Sequence, residues 1–197
     1  MGHWKIKGEP TVVLVDFSSL IPRKDEILKS LWESYHVDSI SGQWDYIEPV
    51  LFGWAAGVVI ASYVETFGTP TEKAVAHFHE WMTAAGGLHL RKHAPYVATL
   101  FTTHATVMGR CIAGNGLPLY NDLAKFNADE LARQFNVVAK HSIEKMAATY
   151  HDAFLTVSDI TANECKYLLG REPDGVTPNG FENDFVWALS LIHISEP

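Results

Sequence analysis

The sequence is poor in cysteine and in clustered positive charge, and each shortage excludes a class of protein. Cys111 and Cys165 are its two cysteines and no CxxC pair occurs, which argues against a disulfide framework and favours a reducing cytoplasm. No run of lysine and arginine is longer than two, and the formal net charge is −8. A nucleic-acid surface needs a basic stripe, so no nucleic-acid partner is expected.

The sequence also lacks the hydrophobic runs of a secreted or membrane protein. Residues 1–5 have no apolar core of the kind found in a signal peptide. The segment 49–64 carries no charge, but it is shorter than the roughly 20 residues that a membrane span needs, and two glycines interrupt it. We therefore predict a buried helix there and expect no membrane partner.

Apolar runs of strand length alternate with segments of helical periodicity along the chain. The 197 residues, 47% hydrophobic and 19% charged, suffice for one domain with a sizeable core. Because parallel strands need crossover helices, the alternation predicts an α/β fold with a parallel sheet covered by helices on both faces. The predicted strands are 11–16, 73–78, 97–102, 153–157 and 175–178, and the predicted helices are 22–35, 47–67, 82–93, 127–150 and 159–169.

Polar side chains gather where three of these strands end. The first end carries His79 and Glu80, the second Thr103 and His104, and the third Asn179. Because ligands bind at the carboxyl ends of parallel strands, these ends predict a cleft for a polar ligand.

Arg110 follows His104 by six residues, across a strand-to-helix junction. The planar fork of an arginine suits a diphosphate, so both side chains can face one anionic ligand. Taken singly, His104 can instead cap the helix and Arg110 can pair with a surface acid. Glu80 is open to two interpretations as well, an acid that binds sugar hydroxyls or a salt-bridge partner.

Other catalytic patterns are absent from the sequence. His77 and His79 have HxH spacing without the further ligands that zinc requires, and no HExxH occurs, so no metal site is expected. Ser158 does not lie in a GxSxG elbow, which argues against a serine hydrolase.

Three segments resemble the glycogen synthases that use UDP-glucose: 77–81 (HFHEW), 101–110 (FTTHATVMGR) and 176–180 (VTPNG). The resemblance implies a Rossmann-like domain, part of the N-terminal domain of a GT-B fold. It implies transfer of glucose from UDP-glucose to the non-reducing end of an α-1,4-glucan such as glycogen, in the cytoplasm, without a cofactor. It leaves open whether the full-length protein is a homo-oligomer.

The resemblance also implies roles for particular residues. His104 and Arg110 match family residues that contact the donor, and Glu80 matches a cleft acid that we take as a candidate catalytic residue. The further candidates for substrate binding are His79, Thr103 and Asn179.

The sequence departs from the family pattern in ways that bear on activity. It contains no glycine-rich loop after its first strand, and the family's catalytic glutamate belongs to a second domain that is absent here. We interpret residues 1–187 as a partial N-terminal domain and 188–197 as a tail foreign to the family, and we expect the isolated chain to be inactive. The alternatives are a stand-alone, non-catalytic module that binds a sugar or nucleotide, and a GT-B transferase with another donor.

Overall fold

A computed structural model of the chain describes residues 1–69 and 71–180, in which six strands form two sheets. The first two strands make a small antiparallel pair, and the other four make a parallel sheet in chain order. The strands are β1 (Gly2–His3), β2 (Thr11–Val12), β3 (Val75–His79), β4 (Ala98–Thr103), β5 (Ala153–Thr156) and β6 (Gly175–Val176). The predicted α/β class with a parallel sheet flanked by helices is confirmed.

Among the described residues, two helices precede β3 and six more lie in the crossovers between the parallel strands. They are α1 (Lys24–Tyr35), α2 (Trp44–Phe67), α3 (Glu80–His93), α4 (Val107–Gly114), α5 (Leu119–Asp122), α6 (Ala128–Gln134), α7 (Val138–Tyr150) and α8 (Asp159–Glu164). A 3-10 turn over Ser18–Arg23 leads into α1, and a π-helical turn over Cys165–Leu169 extends α8.

The core lies on one face of the parallel sheet. Phe78, Phe101 and Phe154 are in register on three neighbouring strands, and all three are buried. Helices α3 and α7 pack over this face and against each other. This packing fixes which ends of the strands lie together at one edge.

The prediction of the first strand is wrong. Residues 11–16 were expected to form a buried strand of the main sheet, yet only Thr11–Val12 is extended, and it pairs with Gly2–His3. Leu14 is 89% exposed. An apolar run forms a buried strand only where a neighbour supplies the ladder of hydrogen bonds, and among the described residues β1 alone does so here.

The predicted helix 127–150 is also corrected, because it is divided into α6 and α7. Asn127 caps α6 as expected, its Oδ1 accepting from the Glu130 N–H at 3.2 Å. The chain then turns at Asn136, which has φ of +56°, a left-handed conformation that asparagine tolerates better than most residues. The predicted apolar stripe of this segment includes Val138, Ser142 and Met146. The buried face of α7 is instead formed by Ala139, Ile143 and Ala147, each one position further along the chain.

Helix α2 is apolar and long enough to cross a membrane by length and composition alone. It instead packs along α3, with its glycines at the contact. A Cβ at Gly57 would collide with the backbone of Gly86, so the two helices approach closely because neither has a side chain there. The most apolar 18-residue window of α2 is 28% buried, so the predicted buried helix over 49–64 is buried only on the face that meets α3.

Candidate functional site

The candidate site lies at the carboxyl edge of the parallel sheet, where β3 and β4 end side by side. His79 is the last residue of β3, and its register partner on β4 is Thr102. Along β3 buried and exposed residues alternate, which places the side chains of His77 and His79 together on the exposed face. Their imidazole rings are 4.0 Å apart.

Four of the six predicted site residues meet in one network at this edge. His79 Nδ1 lies 3.0 Å from His104 Nε2, so the two rings share a hydrogen bond. The main-chain N–H of His104 donates to Glu80 Oε1 at 3.0 Å. Arg110 Nη2 lies 3.5 Å from the same oxygen of Glu80. The structure thus brings together residues from two separate stretches of the sequence.

Glu80 occupies a sharp junction between β3 and α3, with no loop between them. Its φ is +64°, in the left-handed region, which costs a non-glycine residue roughly 1–2 kcal/mol. Such conformations persist only where the surroundings hold them. Here the carboxylate of Glu80 is held by the His104 N–H and the Arg110 guanidinium.

His77 and His79 favour the neutral state. Partial burial lowers the pKa of His79, and the nearby His104 ring lowers it further, while Glu80 opposes the shift. Burial lowers the pKa of His77 as well, with added repulsion from His79 and His104. A neutral ring carries one donor and one acceptor, so it can both donate to and accept from a hydroxyl group.

The cationic group of the site remains accessible to a ligand. Arg110 lies in the first turns of α4, and its side chain is 64% exposed despite the contact with Glu80. The positive end of the α4 dipole lies at the same edge of the sheet. An anionic group can therefore reach the guanidinium of Arg110 there.

The two remaining predicted residues lie elsewhere. Thr103 is fully buried, with its hydroxyl 2.8 Å from Glu144 Oε1, beneath the segment that carries His104. Asn179 follows β6 in irregular chain, and no hydrogen bond links it to the network among the described residues. Substrate binding by either residue stays a prediction.

Sequence reasoning missed two buried carboxyl groups below the site, Glu144 and Glu164. Glu144 is fully buried on α7 and Glu164 is 5% exposed on α8. A signal for Glu144 exists, since it falls between Ile143 and Ala147 on a helix face that must be buried. The predicted apolar stripe of this helix lies one residue before its buried face, and Glu144 was not among the predicted buried residues.

No metal centre is formed by the described residues: they contain no cluster of three or more histidine, cysteine, aspartate or glutamate side chains arranged to hold an ion. The imidazoles of His77, His79 and His104 are bonded to one another or to Thr102.

The structure is a Rossmann-like α/β domain with a cluster of polar side chains at the carboxyl edge of its sheet, the edge at which ligands bind in open α/β folds. A family model described as Glycogen synthase matches residues 1–193. The chain belongs to the glycogen synthase family, which is a family of glycosyltransferases.

Individual relatives agree with this assignment. The chain is 35% identical over 188 residues to a "Glycogen [starch] synthase" of Dictyostelium discoideum, covering 95% of this chain and 21% of that protein. It is 35% identical over 180 residues to the isoform 2 enzyme of Saccharomyces cerevisiae, covering 91% and 25%. It is 34% identical over 192 residues to the liver enzyme of Rattus norvegicus, covering 98% and 27%.

The chain spans about a quarter of the length of the curated relatives it matches. The family match also continues to residue 193, beyond the boundary expected at 187. The expected foreign tail, 188–197, lies outside the described residues.

Proposed function

We propose that this chain is the donor-binding part of a glycogen synthase that transfers glucose from UDP-glucose to the non-reducing end of an α-1,4-glucan. The observation that carries the proposal is the network of His79, Glu80, His104 and Arg110 at the carboxyl edge of the sheet. Membership of the glycogen synthase family supports a nucleotide sugar as the donor and a glucan as the acceptor. We place this chain in the N-terminal domain of a GT-B enzyme in the cytoplasm.

The geometry supports a division of roles within the network. His104, half-buried and bonded through its ring, is suited to a hydroxyl of the glucose, and Arg110, exposed and cationic, to the diphosphate. Glu80 is engaged by the His104 N–H and by Arg110, which favours a positioning role over direct attack at the sugar. His79 orients the His104 ring.

The proposal includes the inactivity of the isolated chain. Stabilisation of the departing diphosphate is a large part of catalysis in group transfer, and one exposed arginine is a weak substitute for a closed cleft. The 15 lysines and arginines of this sequence are scattered, and Arg110 is the cation that the structure brings to the network.

The test is glucose transfer from UDP-glucose to glycogen, measured for the full-length synthase carrying this segment and for the 197-residue chain alone. We expect transfer by the full-length protein and none by the chain. Robust turnover by the chain alone would contradict the proposed incompleteness of its site. Transfer from a different sugar nucleotide in preference to UDP-glucose would identify a transferase with another donor.

A further inference from the structure

A carboxyl group of α7 forms hydrogen bonds to both ends of the segment that carries His104. Residues 104–106, here called the site loop, connect β4 to α4. Glu144 Oε1 lies 2.8 Å from Thr103 Oγ1, the residue before the site loop. Glu144 Oε2 accepts a hydrogen bond of 2.8 Å from the N–H of Val107, the residue after it. One side chain therefore bonds to both ends of the site loop.

A second carboxyl group, Glu164 of α8, holds the end of the same loop. Thr106 Oγ1 donates to Glu164 Oε2 at 2.9 Å and also accepts from the Gly109 N–H at 2.9 Å, which caps α4. The Tyr120 hydroxyl lies 3.3 Å from the other oxygen of Glu164. A Cβ at Gly109 would overlap Glu164 Oε2 and Thr106 Oγ1, so the first turn of α4 rests directly on this carboxylate.

Burying two carboxyl groups is costly unless their polar atoms are bonded. Within the described part of the chain, no lysine or arginine forms an ion pair with either of them. Their oxygens are instead bonded to the site loop and its flanking residues, together with Tyr120. Both buried carboxyl groups lie beneath the segment that carries His104 and Arg110.

The protonation of Glu144 fits the bonds around it. Complete burial raises the pKa of Glu144 to about 8; Glu80 raises it further, while the bonds from Val107 and Thr103 and the charge of Arg110 oppose the shift. At neutral pH the acid is therefore mostly uncharged, and its O–H can donate a hydrogen bond to Thr103 Oγ1, which can itself donate to the Ala105 carbonyl, 3.4 Å away. Cys111 and Cys165 are further titratable groups near Glu144, and Cys165 also lies near Glu164.

We infer that Glu144 and Glu164 are positioning residues, which hold the site loop and the first turn of α4 so that His104 and Arg110 face the same ligand. The inference rests on the proposed function. Neither carboxyl group reaches the ligand, since Glu144 is fully buried and Glu164 nearly so. Their effect passes through Thr103, Thr106 and Val107.

The experiment compares Glu144→Gln with Glu144→Leu in the full-length synthase carrying this segment, with separate KM values for UDP-glucose and for glycogen. A glutamine reproduces the protonated acid, because its amide N–H₂ can donate to Thr103 Oγ1 and its carbonyl can accept from the Val107 N–H. We expect the donor KM of Glu144→Gln to stay near that of the wild type. Glu144→Leu should raise the donor KM about tenfold and leave the glycogen KM unchanged.

The pH dependence supplies a readout that a purely structural role would not change. The wild-type donor KM should rise above about pH 8, where Glu144 ionises, whereas the Glu144→Gln variant should not share this rise. If Glu144→Leu does not fold, Thr106→Val replaces it, since it deletes the hydroxyl that joins Glu164 to the Gly109 N–H. We expect a similar increase in its donor KM.

The outcomes separate this inference from the proposed function. A wild-type protein that transfers no glucose overturns the proposed function and this inference with it. An active wild type, with a folded Glu144→Leu or Thr106→Val variant of unchanged donor KM, overturns the inference alone. A rise in KM above pH 8 that is identical in the wild type and in Glu144→Gln does so too.

Discussion

The main-chain N–H of His104 donates to Oε1 of Glu80 over 3.0 Å, although the two residues are 24 positions apart. This bond joins the end of β4 to the junction between β3 and α3. The same carboxylate oxygen contacts the Arg110 guanidinium. Glu80 thereby sets the distance between the two side chains that we assign to the donor.

Replacement of Arg110 by alanine should abolish most of the donor affinity and leave the fold intact. A charge-assisted hydrogen bond is worth roughly 1.5–3 kcal/mol, so kcat/KM for UDP-glucose should fall by about 10- to 100-fold. Because the side chain is 64% exposed, the free energy of unfolding should change by less than about 0.5 kcal/mol. Arg23→Ala, which removes an exposed arginine paired with Glu26, is the matched control and should retain activity. Equal activity of both variants would contradict the assignment.

His104→Ala should reduce transfer more than His79→Ala. His104 is assigned to the glucose, whereas His79 acts on it through the shared ring hydrogen bond of 3.0 Å. Steady-state kinetics of the two variants in the full-length protein test the order. His93→Ala, on the exposed end of α3, serves as the control. A larger defect in His79→Ala would indicate that His79, and not His104, contacts the glucose.

Glu80→Gln should separate the charge of Glu80 from its hydrogen bond. The amide oxygen still accepts from the His104 N–H, while the ion pair with Arg110 is lost. Because the Arg110 side of this pair is 64% exposed and the contact is 3.5 Å long, the pair is worth about 0–1 kcal/mol, and the unfolding free energy should change little. Glu80→Ala removes both contacts and should lower kcat/KM for the donor further. Two variants with the same kinetics would show that the bond to His104 has no effect on the site.

Gly87→Ala should destabilise the fold, because a Cβ there would overlap the buried ring of His151. Overpacking of this kind costs roughly 1–3 kcal/mol, and the ring is buried between Phe78 and Phe101. Gly114→Ala is the control, since a Cβ at that position meets nothing within 4 Å. Urea unfolding of the two variants measures the difference. Equal midpoints would show that the α3–α7 contact is looser than described.

The stability of the fold should fall between pH 6.5 and pH 4. Burial lowers the pKa of His151 to about 4, so in this window the unfolded chain binds more protons than the folded chain. Each pKa unit corresponds to roughly 1.4 kcal/mol, which makes the loss from His151 on the order of 3 kcal/mol. Burial also lowers the pKa of His89 to about 4 and adds a loss of the same sign.

The effect of His151 on stability is measured by itself only when Glu144 is replaced, because Glu144 titrates with the opposite sign. Its pKa is raised by burial to about 8, so its contribution is complete below about pH 4.5 and is lost as the pH rises through 8. Urea unfolding of Glu144→Gln from pH 4 to pH 7 should show stability rising with pH up to about 6.5. A flat profile in that variant would contradict the neutral, buried state of His151.

The sequence by itself determined the class of the fold and half of the site. Apolar runs alternating with helical periodicity require crossovers, and crossovers give parallel strands whose carboxyl ends share an edge. His104 and Arg110 could be chosen because a strand-to-helix junction is visible in local spacing. The division of the helix at Asn136 was less visible, since an apolar stripe of period 3.6 continues through a change of direction.

Only the tertiary structure decided how the site is held together. The bonds of Glu80 to His104, and of Glu144 to Thr103 and Val107, join residues 24 to 41 positions apart, and no local pattern encodes such pairings. Tertiary structure also determines that residues 11–16 do not join the parallel sheet, because an apolar run becomes a sheet strand only where a neighbouring strand offers hydrogen bonds. Local propensity specifies the elements, whereas burial and hydrogen-bond satisfaction specify their partners.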